Sequence, residues 1–165
     1  MTRETKKVVF WVYAAVIAAL YVVLTEISAA LGLASGVIQV RLSEALTILP
    51  YFTPAAVPGL FVGCLLSNVL TGSALWDVVF GSLATMLGAL GSYALRRYRN
   101  LVWIPPVLAN VLIVPWVLQL VYGVKDTIGF LMITVGAGEV VACGVFGTLL
   151  MTALERQRRA IFVNE

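Results

Sequence analysis

The chain has 165 residues, 61% of them hydrophobic and 12% charged, with a net charge of +3. Soluble domains carry about 25% charged residues, so the composition excludes an ordinary soluble enzyme and predicts one all-α membrane domain with little outside the bilayer. Histidine is absent, which removes the commonest general base and metal ligand. Neither a catalytic constellation nor a phosphate-cradling GxxxxGK[ST] loop is found, so no catalytic residue, cofactor or metal is assigned.

Arg3, Lys6 and Lys7 precede the first predicted span, residues 8–31. Its opening charge-free run is longer than the roughly 7–15 residues of a signal peptide's apolar region, so it is read as a span that stays. Ala14 and Ala18 share one helical face and Ala15 and Ala19 the next, a spacing that lets two helix backbones approach closely. Residues 31–39 (LGLASGVIQ) form a small-residue loop on the outer side, where they could gate a site.

The stretch QVRLSEALTILPYFTPAAVPGLFVGCLLSN follows. It carries no charge from Ala45 to Trp76, and Pro50, Pro54 and Pro58 interrupt it. One pass needs about 20 apolar residues, so this run is long for one crossing and short for two. Charge parity decides, because positive flanks stay cytoplasmic. Both the block Arg96, Arg97, Arg99 and the tail block Arg156, Arg158, Arg159 ask for the side of the N-terminus. The expectation is therefore two short passes, 42–52 and 55–70, turning at TPAAVP, with a re-entrant hairpin as the alternative. Further spans are 78–95, 101–121 and 128–154. The plan is a polytopic protein with six transmembrane helices and both termini cytoplasmic. The two cysteines, Cys64 and Cys143, fall in apolar runs and read as small buried hydrophobes.

Polar groups inside a bilayer are costly and usually face a cavity or a partner. Glu44, Asn68, Asp77, Gln119 and Tyr122 fall near the outer ends of their spans, with Trp116 about a turn deeper. Asn110 and Glu139 lie deeper still, Glu139 about 18 Å along its helix at 1.5 Å per residue. These eight are the candidate substrate-binding residues, in a pocket opening outward with Asn110 and Glu139 towards its floor. Other readings stand beside this one. Arg41 and Glu44 could simply neutralise each other three residues apart, Asn68 and Asn110 could bond between helices, and Trp76, Trp103 and Tyr122 could be belt residues at the headgroups. Carboxylates, amides and aromatic rings suit a flat, donor-rich heterocycle.

The run VRLSEALTILPYFTPAAVPGLFVGCLLSNVLTG, followed by WDVVFGSLATMLGALGSY, resembles the QueT family, substrate-binding S components of energy-coupling factor (ECF) transporters. The resemblance extends over nearly the whole chain. It implies a multi-pass protein of the cell membrane that takes a queuosine precursor, a 7-deazaguanine with a cyano or aminomethyl group, from outside. It further implies docking on a membrane T component that bears two ATPase subunits, with Ala14, Ala15, Ala18 and Ala19 matching the small-residue face that meets the T component. The partners so expected are membrane lipid, those subunits and the heterocycle, and no nucleic acid. An S component for another vitamin-like heterocycle, or a stand-alone membrane carrier, are the alternatives.

Overall fold

The computed structural model describes residues 2–33 and 38–161, and among them every regular element is helical. The order is α1 (Arg3–Ala30), a 3-10 helix (Leu42–Tyr51), α2 (Ala56–Leu70), α3 (Leu75–Ala94), α4 (Ile104–Leu120), α5 (Ile128–Arg156) and a short α6 (Arg158–Ile161). Four helices are long and apolar enough to cross a membrane: α1, α3, α5 and the stretch Arg99–Leu120 that contains α4. The apolar α2 has 15 residues. This is an all-helical membrane protein.

The 3-10 helix is the hub. Eight of its ten residues are buried, and it touches α1, α2, α3 and α5. Ten residues at the 2.0 Å rise of a 3-10 helix reach about 20 Å, against about 15 Å in α form. The tighter winding thus carries a short segment further through the bundle. Pro50 lacks the N–H that a longer α-helix would require, and Pro54 pushes Thr53 out of helical geometry. The chain turns there and returns as α2. Ile48, Leu49 and Phe52 of this segment pack with Tyr21, Leu60, Val102 and Met151 in the apolar core.

Small residues set the closest contacts. A Cβ on Gly59 would stand 2.7 Å from the Ala14 carbonyl oxygen, and one on Gly63 would stand 3.0 Å from the Ala18 Cα and 2.7 Å from the Tyr21 Cβ. Ala14 and Ala18 are therefore occupied within the chain, against α2, and are buried. Of the four alanines expected at a partner interface, these two lie against α2. Only Ala15 and Ala19 are exposed.

The ends of the bundle differ in charge. Tyr51, Arg99 and Glu155 meet at one end through hydrogen bonds and an ion pair, and Tyr13 donates to the carbonyl of Ile161 nearby. The residues near both chain termini are therefore at the end of the arginine blocks. At the other end the chain reverses at Gly72 and Gly123, whose φ values of +71° and +65° fall where a side chain is strained.

Replacing Gly63 with Val should force α1 and α2 apart. Overpacking of this kind costs about 1–3 kcal/mol, and thermal unfolding of the detergent-solubilised protein should show a lowered midpoint. An unchanged midpoint would mean that this close approach contributes nothing.

Candidate functional site

A polar stripe on α1 begins the site. Tyr21, Thr25 and Ser28, at positions i, i+4 and i+7, are buried and face the entry of the 3-10 helix. Ser28 Oγ accepts from the Leu42 N–H at 2.9 Å, and Thr25 Oγ1 donates to Ser43 Oγ at 2.8 Å. The Tyr21 hydroxyl donates to Glu44 Oε1. Glu44 is 2% exposed, and among the described residues its Oε2 has no donor in full hydrogen-bond geometry, with Asn110 and Thr85 beside the carboxylate. A buried acceptor left unmatched costs about 1–3 kcal/mol, more when charged.

Opposite Glu44, α5 departs from regular α geometry. Residues Val140–Phe146 form a π-helical stretch directly after Glu139, a distortion frequent at functional sites. The extended lead-in to the 3-10 helix passes α5 at Gly138, where any Cβ would collide with the Gln39 carbonyl oxygen. Glycine is needed there for the approach, which brings Gln39 and Arg41 alongside Glu139. Carboxylate oxygens of Glu44 and Glu139 and the Cys143 sulfur all lie within 4.8 Å of one another. Cys143 donates towards the Glu44 carbonyl at 3.4 Å and Glu139 Oε2 at 3.3 Å. The single S–H can serve one of these acceptors at a time, and the contacts tie α5 to the 3-10 helix whichever it serves. Asn110 of α4 stands beside both carboxylates.

Two chambers adjoin at this end. The inner one, about 30 Å³, is lined by Glu44, Glu139, Asn110, Thr85 and Asp77, with Gln39 and Arg41 on the shared wall. It has room for about one water. The outer one, about 400 Å³, also contains Gln39, Arg41 and Asp77, together with Asn68 and Tyr122. Small-molecule sites span roughly 300–1,000 Å³, so the outer chamber has the size of a ligand site and the inner one that of its deepest pocket. Tyr122 donates to Asp77 Oδ2 at 2.9 Å, Asn68 donates to the Asp77 carbonyl at 3.5 Å, and Arg41 Nη1 donates to Asn68 Oδ1 at 3.5 Å. Arg41 makes no ion pair with Glu44; the ion pairs among the described residues are Lys7–Glu4 and Arg99–Glu155.

Six of the eight expected residues thus meet at these chambers: Glu44, Asn68, Asp77, Asn110, Tyr122 and Glu139. Two do not. Trp116 is 48% exposed and lines an outward apolar groove with Trp76 and Phe80. Gln119 donates to the Asp126 carbonyl at 3.2 Å and holds the α4–α5 connection. Residues 34–37, the middle of the loop expected as a gate, lie outside the described residues. Missing from the sequence expectation were Arg41, Gln39, Thr85 and the Tyr21–Thr25–Ser28 stripe. The helical spacing of that stripe was its signal.

An all-helical membrane protein with a polar chamber buried at one end is the class that fold and site define. Residues 11–156 match the family described as QueT transporter, and the chain belongs to that family. An 88-residue stretch is 38% identical to the "Queuosine precursor transporter QueT" of Lactococcus lactis subsp. cremoris (strain MG1363), covering 52% of this chain and 51% of that protein. The match therefore spans about half the length of the curated relative. No solved structure matches.

Tyr21→Phe would remove the hydroxyl from which Glu44 Oε1 accepts. It should cost about 1–3 kcal/mol of stability, read from the thermal midpoint of the purified chain, whereas Tyr13→Phe at the opposite end should cost less.

Proposed function

We propose that this chain is the S component of an ECF-type uptake transporter and that its ligand is an aminomethyl-substituted 7-deazaguanine, a queuosine precursor. The observation that carries the reading is the buried Glu44 carboxylate in a small inner chamber that shares Gln39, Arg41 and Asp77 with a ligand-sized outer one, in a member of the QueT family. The heterocycle enters the outer chamber with its N–H edge leading towards Glu44 and Glu139, which accept from its ring N–H and amino groups. Its oxygen accepts from Arg41, whose guanidinium has no carboxylate within ion-pair distance among the described residues. Tyr122 borders the ring, and Asp77 near the mouth takes the aminomethyl cation.

Charge chooses the substituent. Three carboxylates, Glu44, Asp77 and Glu139, line the chambers with a single guanidinium, Arg41. An aminomethyl cation seated beside Asp77 gains a charge-assisted partner that a neutral cyano compound does not.

The same reading gives a multi-pass protein of the cell membrane with six crossings. The 3-10 helix and α2 supply the two short passes, and the basic end faces the cytoplasm by the positive-inside rule. Docking on the T component and its ATPases then falls to the exposed Ala15 and Ala19. Ala15→Trp with Ala19→Trp should abolish co-purification with those subunits while ligand binding survives. Retained co-purification would move the interface elsewhere.

Calorimetric titration of the purified chain tests the ligand, with guanine and riboflavin as controls. The aminomethyl compound should bind at least tenfold (about 1.4 kcal/mol) more tightly than the cyano compound. Asp77→Asn should erase that difference, and Glu139→Gln should weaken both by more than tenfold. Equal binding of the two compounds would overturn the charge argument. Failure of folded protein to bind either would overturn the ligand assignment.

A further inference from the structure

A second cavity opens at the arginine end, about 530 Å³ in volume, between the turn after the 3-10 helix and the end of α3. Arg96, Arg97 and Arg158 line it with Tyr51 and Tyr93. The nearby carboxylate is already used. Glu155 accepts from Arg99 through both oxygens and from the Tyr51 hydroxyl. Among the described residues no ion pair involves Arg96, Arg97 or Arg158, so three positive charges converge on one cavity without a counter-charge. Two of them are held over aromatic rings. The Arg96 guanidinium carbon lies 4.0 Å from the Tyr93 centroid and that of Arg158 lies 5.9 Å from the Tyr51 centroid. Stacking limits the directions in which these forks can turn.

The geometry points to a binding site for a phosphate-bearing anion, which we assign to the headgroup of an anionic phospholipid. Guanidinium groups bind phosphate oxygens through paired N–H donors, and basic pockets beside membrane helices suit such headgroups. The surroundings favour a lipid over a soluble phosphate. Leu87 and Leu90 of α3 are 52% and 46% exposed, the step from Leu90 to the end of α3 at Ala94 is about 6 Å of helix at 1.5 Å per residue, and Arg96 and Arg97 follow in the turn directly after it. An acyl chain lying along those leucines therefore brings its phosphate to the arginines. The tyrosines occupy the level where amphipathic rings anchor at a headgroup. The site is remote from the carboxylate chamber and independent of the ligand assigned there.

The test is the thermal midpoint of the detergent-purified chain with added phosphatidylglycerol, phosphatidylcholine or millimolar inorganic phosphate. Phosphatidylglycerol should raise the midpoint by about 3 °C or more, a modest stabilisation for a chain of this size, while the other two leave it unchanged. The rise should be lost in the triple variant Arg96→Gln, Arg97→Gln, Arg158→Gln and kept when Arg3, Lys6 and Lys7 are changed to Gln. Should the triple variant not fold, Arg96→Gln and Arg158→Gln alone should each remove about half of the rise. An equal rise with phosphatidylcholine, or a full rise in the folded variants, would overturn the site. An equal rise with inorganic phosphate would overturn the lipid assignment.

Discussion

The hydrogen bond from Tyr21 to Glu44 ties α1 to the central 3-10 helix at a depth where no bulk water can solvate a carboxylate. Burying an acid in an apolar bundle is strongly unfavourable unless its oxygens find donors, and Tyr21 supplies one. Thr25 and Ser28 extend the same seam by engaging Ser43 and the Leu42 N–H, so the entry of the 3-10 helix is fixed over two turns of α1. With that entry fixed, the preceding residues run extended past Gly138, and Arg41 is left beside the chamber instead of on the helix. The Glu44 carbonyl in turn accepts from Cys143 and Thr47, which links α5 to the same point.

Departures from regular α geometry gather around this seam. The 3-10 helix lengthens a short segment, and the π-helical stretch of α5 rephases the residues that follow Glu139. Each gives up some hydrogen-bond quality, and each borders the chambers. Local irregularity concentrated beside the chambers, with the short 3-10 turn Arg99–Leu101 the other such departure among the described residues, is what a site imposed on a fold looks like.

Much of this could be read from the sequence. The element ends follow from charge blocks and prolines, and the helices found at 42–51 and 56–70 differ little from the expected 42–52 and 55–70. The polar residues of the chamber were legible because a membrane interior penalises them, so each asks for a reason. Which way a side chain faces was harder to read. In α4 the apolar residues run all the way round, leaving no amphipathic face to orient it. Measured from the buried Asn110, at about 100° per residue, Trp116 is about 240° round the helix and Gln119 about 180°. Neither can share a wall with Asn110. Arg41 was missed for a related reason. Pairing with Glu44 assumes both residues are on one helix, but Arg41 has the extended φ and ψ of −96° and 110° and precedes it.

The distribution of packing also bears on how a ligand would leave. Below the carboxylates the centre is filled by Tyr21, Ile48, Leu60, Val102 and Met151, each at most 1% exposed. A polar molecule seated beside Glu44 and Glu139 meets this apolar plug in the direction of the arginine end, and burying unmatched donors there is unfavourable. Opening a passage would mean parting the 3-10 helix from α1, α2 and α5, against the hydrogen bonds that define the chamber.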